Sequence, residues 1–322
     1  MGVHSQRGCA MLFRMSSLSI DDGRLRHGHA ELGEVRLHYV EAGEGPLVVL
    51  LHGFPEFWYS WRFQIPALAA AGFRVIAPDM RGYNLSSKPT GVGAYAMDRL
   101  AGDVRDLIHE RGESRAHLAG HDWGGAVAWG AAALHPEVID RLAVLNLPHP
   151  RRMLQGLRTK AQLRRSWYMF AFQLPGLPER LVARHRWKWL RAGFEHDARP
   201  GAYTVADIEL YTHAWSQPGA LTGSINYYRA AFRRPPRGGG AARIEAPTLV
   251  IWGERDRYLG AELADPDPRD VPRLQRVVRL PAASHWVAAD EPERVSELLI
   301  SHFRGVGSGD GAERPGTASE AA

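Results

Sequence analysis

The sequence predicts an α/β protein built on a doubly wound, mostly parallel sheet of eight strands that carries an inserted helical cap. Three observations predict it. Short apolar runs alternate with helix-like stretches along most of the chain. A glycine-framed pentapeptide, Gly120-His121-Asp122-Trp123-Gly124, separates one such run from an alanine-rich segment. Residues 149–242 then break the alternation with a long stretch that holds no buried-strand run.

Taken in order, residues 24–31 and 34–41 alternate in polarity and read as an antiparallel pair joined at Leu32-Gly33. Residues 47–51, 74–77, 142–145 and 248–252 are unbroken apolar runs, the pattern of strands covered on both faces. Residues 115–119 and 276–280 complete the strands. Helical patterning fills 56–70, 95–110, 125–132 and 292–303, and strand alternating with helix implies parallel neighbours joined by right-handed crossovers. Within 149–242 the segments are helix-like and rich in Trp, Tyr, Phe and Arg, ending in the linker Arg233-Arg234-Pro235-Pro236-Arg237-Gly238-Gly239-Gly240. The core is therefore expected at 23–148 and 243–305 and the cap at 149–242, with a disordered leader at 1–22 and a disordered tail at 306–322. Met15 is a second candidate for the start of the chain.

The 322 residues carry 40 basic and 35 acidic side chains, a net charge of +5, mixed throughout. That mixing points to no nucleic-acid partner. Arginine clusters at Arg151-Arg152, Arg164-Arg165 and Arg184-His185-Arg186 read as a solvated helical face. No apolar run reaches the length of a membrane span, and the apolar stretch near Met11 is too short for a secretory signal. Cys9 is the single cysteine, which excludes an intrachain disulfide and suits a cytoplasmic setting. No Cys/His cluster has metal-ligand spacing, so no metal or other cofactor is expected. The oligomeric state is not fixed by the sequence, and a homodimer is left open.

The pentapeptide carries the chemistry. A strand, a turn framed by glycines and a helix form a nucleophile elbow, in which the glycines let the turn close and expose the middle side chain. Here that side chain is Asp122. A carboxylate that attacks an sp³ carbon gives an ester, which water can cleave at its carbonyl, whereas a serine would leave an inert ether. The competing reading is an Asp that caps the following helix.

An elbow nucleophile is followed along the chain by an acid and then a histidine. Asp256, after the strand ending Ile251-Trp252-Gly253, and His285, after the strand ending at Leu280, satisfy this order at the strand C-termini where ligands bind. Glu254 and Asp265 are nearby alternatives for the acid. His285 suits the base because imidazole titrates near neutrality and a carboxylate on its other nitrogen fixes the tautomer. The loop His52-Gly53-Phe54-Pro55-Glu56 follows the first parallel strand and is placed to give an oxyanion donor from the Phe54 N–H, with Trp123 N–H as the second. Phe54-Pro55 is a candidate cis peptide.

Together, His52-Gly53-Phe54-Pro55-Glu56, Arg81-Gly82-Tyr83-Asn84-Leu85-Ser86-Ser87-Lys88-Pro89, the elbow and Ser284-His285-Trp286 resemble the epoxide hydrolases of the α/β-hydrolase fold superfamily over residues 35–303. Asn84 and Ser284 depart from the usual pattern, and neither is a reacting group. The resemblance implies two cap tyrosines that bind and protonate the epoxide oxygen. They would be Tyr168, in Tyr168-Met169-Phe170-Ala171-Phe172-Gln173-Leu174-Pro175-Gly176, and Tyr228, in Asn226-Tyr227-Tyr228-Arg229. A phenol stays protonated at neutral pH and can serve as a general acid.

The expected reaction converts a hydrophobic epoxide and water to a vicinal diol, through an ester on Asp122 that water activated by His285 and Asp256 then cleaves. His52, Pro55, Trp167, Phe172 and Trp286 are the expected substrate contacts. Haloalkane dehalogenases share the elbow and are the alternative reading, but many carry a side-chain amide where Phe54 stands. A ligand receptor without catalysis is a further alternative, since a fold does not fix its function.

Overall fold

A computed structural model describes residues 25–184, 187–234 and 243–305. The expected leader at 1–22 and tail at 306–322, together with residues 185–186 and the Pro/Gly stretch of the linker, lie outside the described residues.

Eight strands form one sheet, in the order β1-β2-β4-β3-β5-β6-β7-β8. They are β1 Arg26–Leu32, β2 Val35–Ala42, β3 Leu47–Leu51, β4 Arg74–Pro78, β5 Ala116–His121, β6 Ile139–Leu145, β7 Thr248–Gly253 and β8 Leu274–Leu280. Only β2 runs against the rest: it pairs antiparallel with both β1 and β4, and every pairing from β4 to β8 is parallel. The β3 and β7 residues are buried throughout, and those of β5 all but His117, as strands between two helical layers should be.

The hairpin turns at Gly33-Glu34, one residue later than expected, because the turn needs a left-handed residue and Gly33, at φ 67°, supplies it. The continuous helix expected over 56–70 is instead a 3₁₀ turn, Trp58–Trp61, followed by α1, Gln64–Ala70. Pro66 has no N–H to give the carbonyl four residues back, so it is accommodated only in the first turn of a new helix. The remaining core helices are α2 Met97–Glu110 and α3 Trp123–Leu134.

Between β6 and β7 the described residues form only helices: α4 Pro150–Gly156, α5 Lys160–Arg165, α6 Trp167–Ala171, α7 Leu177–Arg184, α8 Lys188–Ala192, a π turn at Gly193–Asp197, α9 Val205–Ser216 and α10 Ala220–Arg233. A capping box in which Thr204 and Asp207 bond each other's backbone starts α9. After β8 come α11, Val287–Asp290, and α12, Pro292–Arg304. The cap is tied to the core by Tyr59 Oη donating to Asp207 at 2.8 Å and by Tyr227 Oη donating to the Arg81 carbonyl at 2.8 Å. Among the described residues, no helix is long and apolar enough to cross a membrane.

Candidate active site

Asp122 occupies the turn between β5 and α3 with φ 47°, a left-handed value that a non-glycine residue adopts only when its surroundings enforce it. The enforcing feature is close packing. A Cβ on Gly120 would stand 2.2 Å from the Gly124 carbonyl oxygen, and one on Gly124 would stand 2.2 Å from that of Leu51. The two glycines thus let strand, turn and helix meet. The Asp122 side chain makes no capping bond to α3. Its Oδ1 accepts from the Phe54 N–H at 2.8 Å, across from the loop that follows β3. Burial disfavours its charge, but the neighbouring imidazoles of His285 and His121 and the Phe54 N–H outweigh burial and hold the carboxyl below its ordinary range.

His285 follows β8, and its Nδ1 lies 2.7 Å from Asp256 Oδ2. Its Nε2 lies 3.6 Å from Asp122 Oδ2, an ion-pair distance beyond direct hydrogen bonding. Burial pulls the imidazole pKa down, but Asp256 and Asp122 together push it up to about 10. Asp256 is held from the other side as well: its Oδ1 accepts from Tyr258 N–H at 2.7 Å and Leu259 N–H at 2.9 Å. Neither Glu254 nor Asp265 takes that place; both sit at the surface with Arg279.

Two features of this site were not read from the sequence. Asn146, just past β6 and at φ 43°, donates from Nδ2 to Asp256 Oδ2 at 2.8 Å and accepts the Gly253 N–H at 2.9 Å. His121, beside Asp122, has Nδ1 2.8 Å from Glu56 Oε2 and Nε2 2.8 Å from the His285 carbonyl oxygen. The ring thus bridges the Glu56 carboxylate and the backbone of the loop that carries His285. Glu56 also accepts the Gly53 N–H at 2.9 Å, and beneath its burial the His121 charge keeps its carboxyl below the ordinary range. Asn146 directly follows the strand run at 142–145, and the one cue in the sequence was its residue type, since Asn tolerates positive φ better than most residues.

From the cap, Tyr168 on α6 and Tyr228 on α10 reach a cavity they share with Asp122, His285, Phe54 and Pro55. The two phenol rings are 5.8 Å apart, centroid to centroid. Burial above all raises both phenol pKa values well above the ordinary one; the Asp122 charge adds to this, with Asp256 also acting on Tyr168 and the Tyr168 ring on Tyr228. Phe54 and Trp123 meet the Tyr228 ring edge-on at 5.3 and 4.9 Å, which fixes its tilt.

The remaining expected contacts divide. Pro55 and Trp286 line the cavity, and Phe54-Pro55 is a cis peptide. Phe172 packs behind it, 5.0 Å from the Tyr228 ring and 5.6 Å from that of Phe54. His52 is fully buried, its Nδ1 3.0 Å from the Gly53 carbonyl oxygen of its own loop and its Nε2 accepting from Met80 N–H, just past β4, at 3.0 Å; both nitrogens are thus used within the core. Trp167 does not face the cavity either. It is 59 % exposed, because the helical turn that points Tyr168 inward points its neighbour out. Tyr258, Trp189, Leu190 and Gly193 line the cavity without having been expected there.

A family model described as the alpha/beta hydrolase fold matches residues 46–292. The chain is 41 % identical over 273 residues to the AB hydrolase superfamily protein YfhM of Bacillus subtilis, covering 84 % of this chain and 95 % of that one. It is 40 % identical over 278 residues to human epoxide hydrolase 4, covering 84 % of this chain and 76 % of that one. Among solved structures, a Bacillus megaterium epoxide hydrolase in complex with an inhibitor superposes with a TM-score of 0.78 at 33 % identity, over 86 % of this chain and all of that one.

Proposed function

The chain belongs to the α/β-hydrolase fold family and within it to the epoxide hydrolases, and from that premise we propose how its own residues open the ring and release a diol. The observation that carries the reading is the position of Asp122: a buried carboxylate on the elbow, with one oxygen held by the Phe54 N–H and both cap tyrosines on the same cavity.

Asp122 Oδ2, the oxygen that Phe54 does not hold, attacks an epoxide carbon. The C–O bond breaks toward the ring oxygen, which Tyr168 and Tyr228 bind and protonate. Their raised pKa values keep them as donors beforehand, and alkylation removes the Asp122 charge that helped to raise them, so they become better acids as the alkoxide forms. The result is a hydroxyalkyl ester on Asp122.

The same loss of charge acts on His285. With Asp122 esterified, burial is opposed by Asp256 but no longer by a second carboxylate, so the imidazolium gives its proton to the tyrosinate left by ring opening and becomes the neutral form that accepts a proton. His285 Nε2 takes a proton from water as the water oxygen adds to the ester carbonyl carbon. The resulting oxyanion, on Oδ1, rests on the Phe54 N–H and is completed by the Trp123 N–H. Collapse expels the diol alkoxide, which takes the proton from the imidazolium and leaves Asp122 as a carboxylic acid with one oxygen from water; that acid gives its proton to His285, which restores the carboxylate and the imidazolium.

The aromatic and aliphatic walls, Phe54, Trp189, Leu190 and Trp286, favour an apolar epoxide. A cytoplasmic location, supported by the lone Cys9, is part of the same reading. Incubating the full chain with styrene oxide and separating the product by chromatography tests the substrate class. The vicinal diol is expected; failure to convert any of a panel of apolar epoxides would overturn the assignment.

A further inference from the structure

The cap turns two sides of residues 163–174, which run from the end of α5 through α6, to different surroundings. Tyr168 and Phe172 point into the protein, while Leu163, Trp167, Phe170 and Leu174, at spacings of four, three and four, stand outward and are between 38 % and 59 % exposed. Leu177 and Leu181 continue the apolar face on α7, and Phe170 meets the half-exposed Phe232 ring of α10 at 5.4 Å. Exposed apolar side chains gathered in this way mark a surface that meets something other than water.

The charge around them has one sign. Between residues 158 and 189 the described basic side chains Arg158, Lys160, Arg164, Arg165, Arg180, Arg184 and Lys188 are all exposed. The only acidic residue of that stretch, Glu179, is turned inward and bound to the buried Arg229 at 2.6 Å. Large apolar side chains interleaved with cations on short helices match the boundary between lipid headgroups and acyl chains, where the rings and Leu side chains insert and the cations stay at the phosphates. We infer that this outer face of the cap docks on an anionic lipid surface.

A second copy of the chain fits this face less well. A two-fold contact would set seven cations against the same seven, with Glu179 already used. Trp189 of α8, also 39 % exposed, belongs to the other side of that segment: its ring packs on those of Tyr168 and Phe172 at 6.2 and 5.8 Å and lines the cavity of Asp122. The docking therefore does not rest on the epoxide hydrolase reading.

Flotation of the full chain with vesicles tests the docking directly. The protein is expected to float with vesicles of phosphatidylcholine mixed with phosphatidylglycerol, and more than about tenfold less with phosphatidylcholine alone or in high salt. Arg164→Glu combined with Arg165→Glu should lower flotation by more than about tenfold, and Phe170→Ser with Leu174→Ser should also lower it. Unchanged turnover of dissolved styrene oxide shows that each variant is folded, and a diol-negative protein that floats would sink the reaction and not the docking. No flotation on anionic vesicles, or flotation indifferent to lipid charge and to these substitutions, overturns the inference. So does self-association that Arg164→Glu with Arg165→Glu abolishes in a chain that does not float, because the face would then belong to a second copy.

Discussion

Asn146 and His285 donate to the same oxygen: Asn146 Nδ2 lies 2.8 Å and His285 Nδ1 2.7 Å from Asp256 Oδ2, while Asp256 Oδ1 is held by two backbone N–H groups. The Asp256 carboxylate is thus clamped on every side, and the imidazole bound to it turns Nε2 toward Asp122. Asn146 reaches this place because β6 ends beside β7, whose last residue it also binds through the Gly253 N–H.

Asn146→Gly keeps the backbone at φ 43° and removes the clamp. Ester hydrolysis should slow by up to about a hundredfold through misplacement of the base, with alkylation largely retained. The unpaired Gly253 N–H should lower stability by about 1–3 kcal/mol. Single-turnover kinetics separate the steps; equal slowing of both would contradict a positioning role.

His285→Gln should leave ring opening intact and block release, so the ester on Asp122 accumulates. Intact mass after mixing with styrene oxide should rise by the mass of the epoxide. Asp122→Ala should show neither adduct nor diol, and an adduct on that variant would place the nucleophile elsewhere.

Tyr168→Phe with Tyr228→Phe removes both phenol donors while keeping the rings that pack against Phe54, Phe172 and Trp123. The alkylation rate should fall by about 10²–10⁴-fold. Hydrolysis of an ester preformed on the His285→Gln background is not expected to recover, which keeps the two defects distinct.

His285 also makes stability depend on pH. Its folded pKa is raised to about 10 from an ordinary 6.5, so the stabilisation from its ion pairs is complete below pH 6.5 and is lost as pH rises through 10. Melting temperature should therefore decline over this window more steeply in the unaltered protein than in His285→Gln. Equal slopes would mean that the imidazole is not held as a cation between the two carboxylates.

The parts of this account that were legible in the sequence are those governed by local pattern. Alternating polarity in the first two strands and unbroken apolar runs in four of those that follow predicted the eight-stranded sheet, because a half-exposed strand alternates and burial on both faces demands continuous apolar segments. Glycines framing Asp122 exposed the elbow, because no other residue lets backbones approach so closely there. What escaped depends on contacts between distant segments. Asn146 and Asp256 are 110 positions apart, and His121 meets Glu56 across 65. Trp167, an expected substrate contact, turns outward because the direction of a side chain in a short helix follows from its phase, which composition does not give. The break between Trp61 and Gln64 turned on a single missing N–H at Pro66.

The central claim is that Asp122 is alkylated and then regenerated by water. Single-turnover conversion of styrene oxide in ¹⁸O-labelled water, with enzyme in excess, tests it most directly. The account predicts ¹⁸O in the Asp122 carboxylate and a first-turnover diol that carries an unlabelled oxygen from Asp122. A diol labelled from the first turnover, with no label in the protein, would mean that water attacks the epoxide directly and would contradict the ester mechanism.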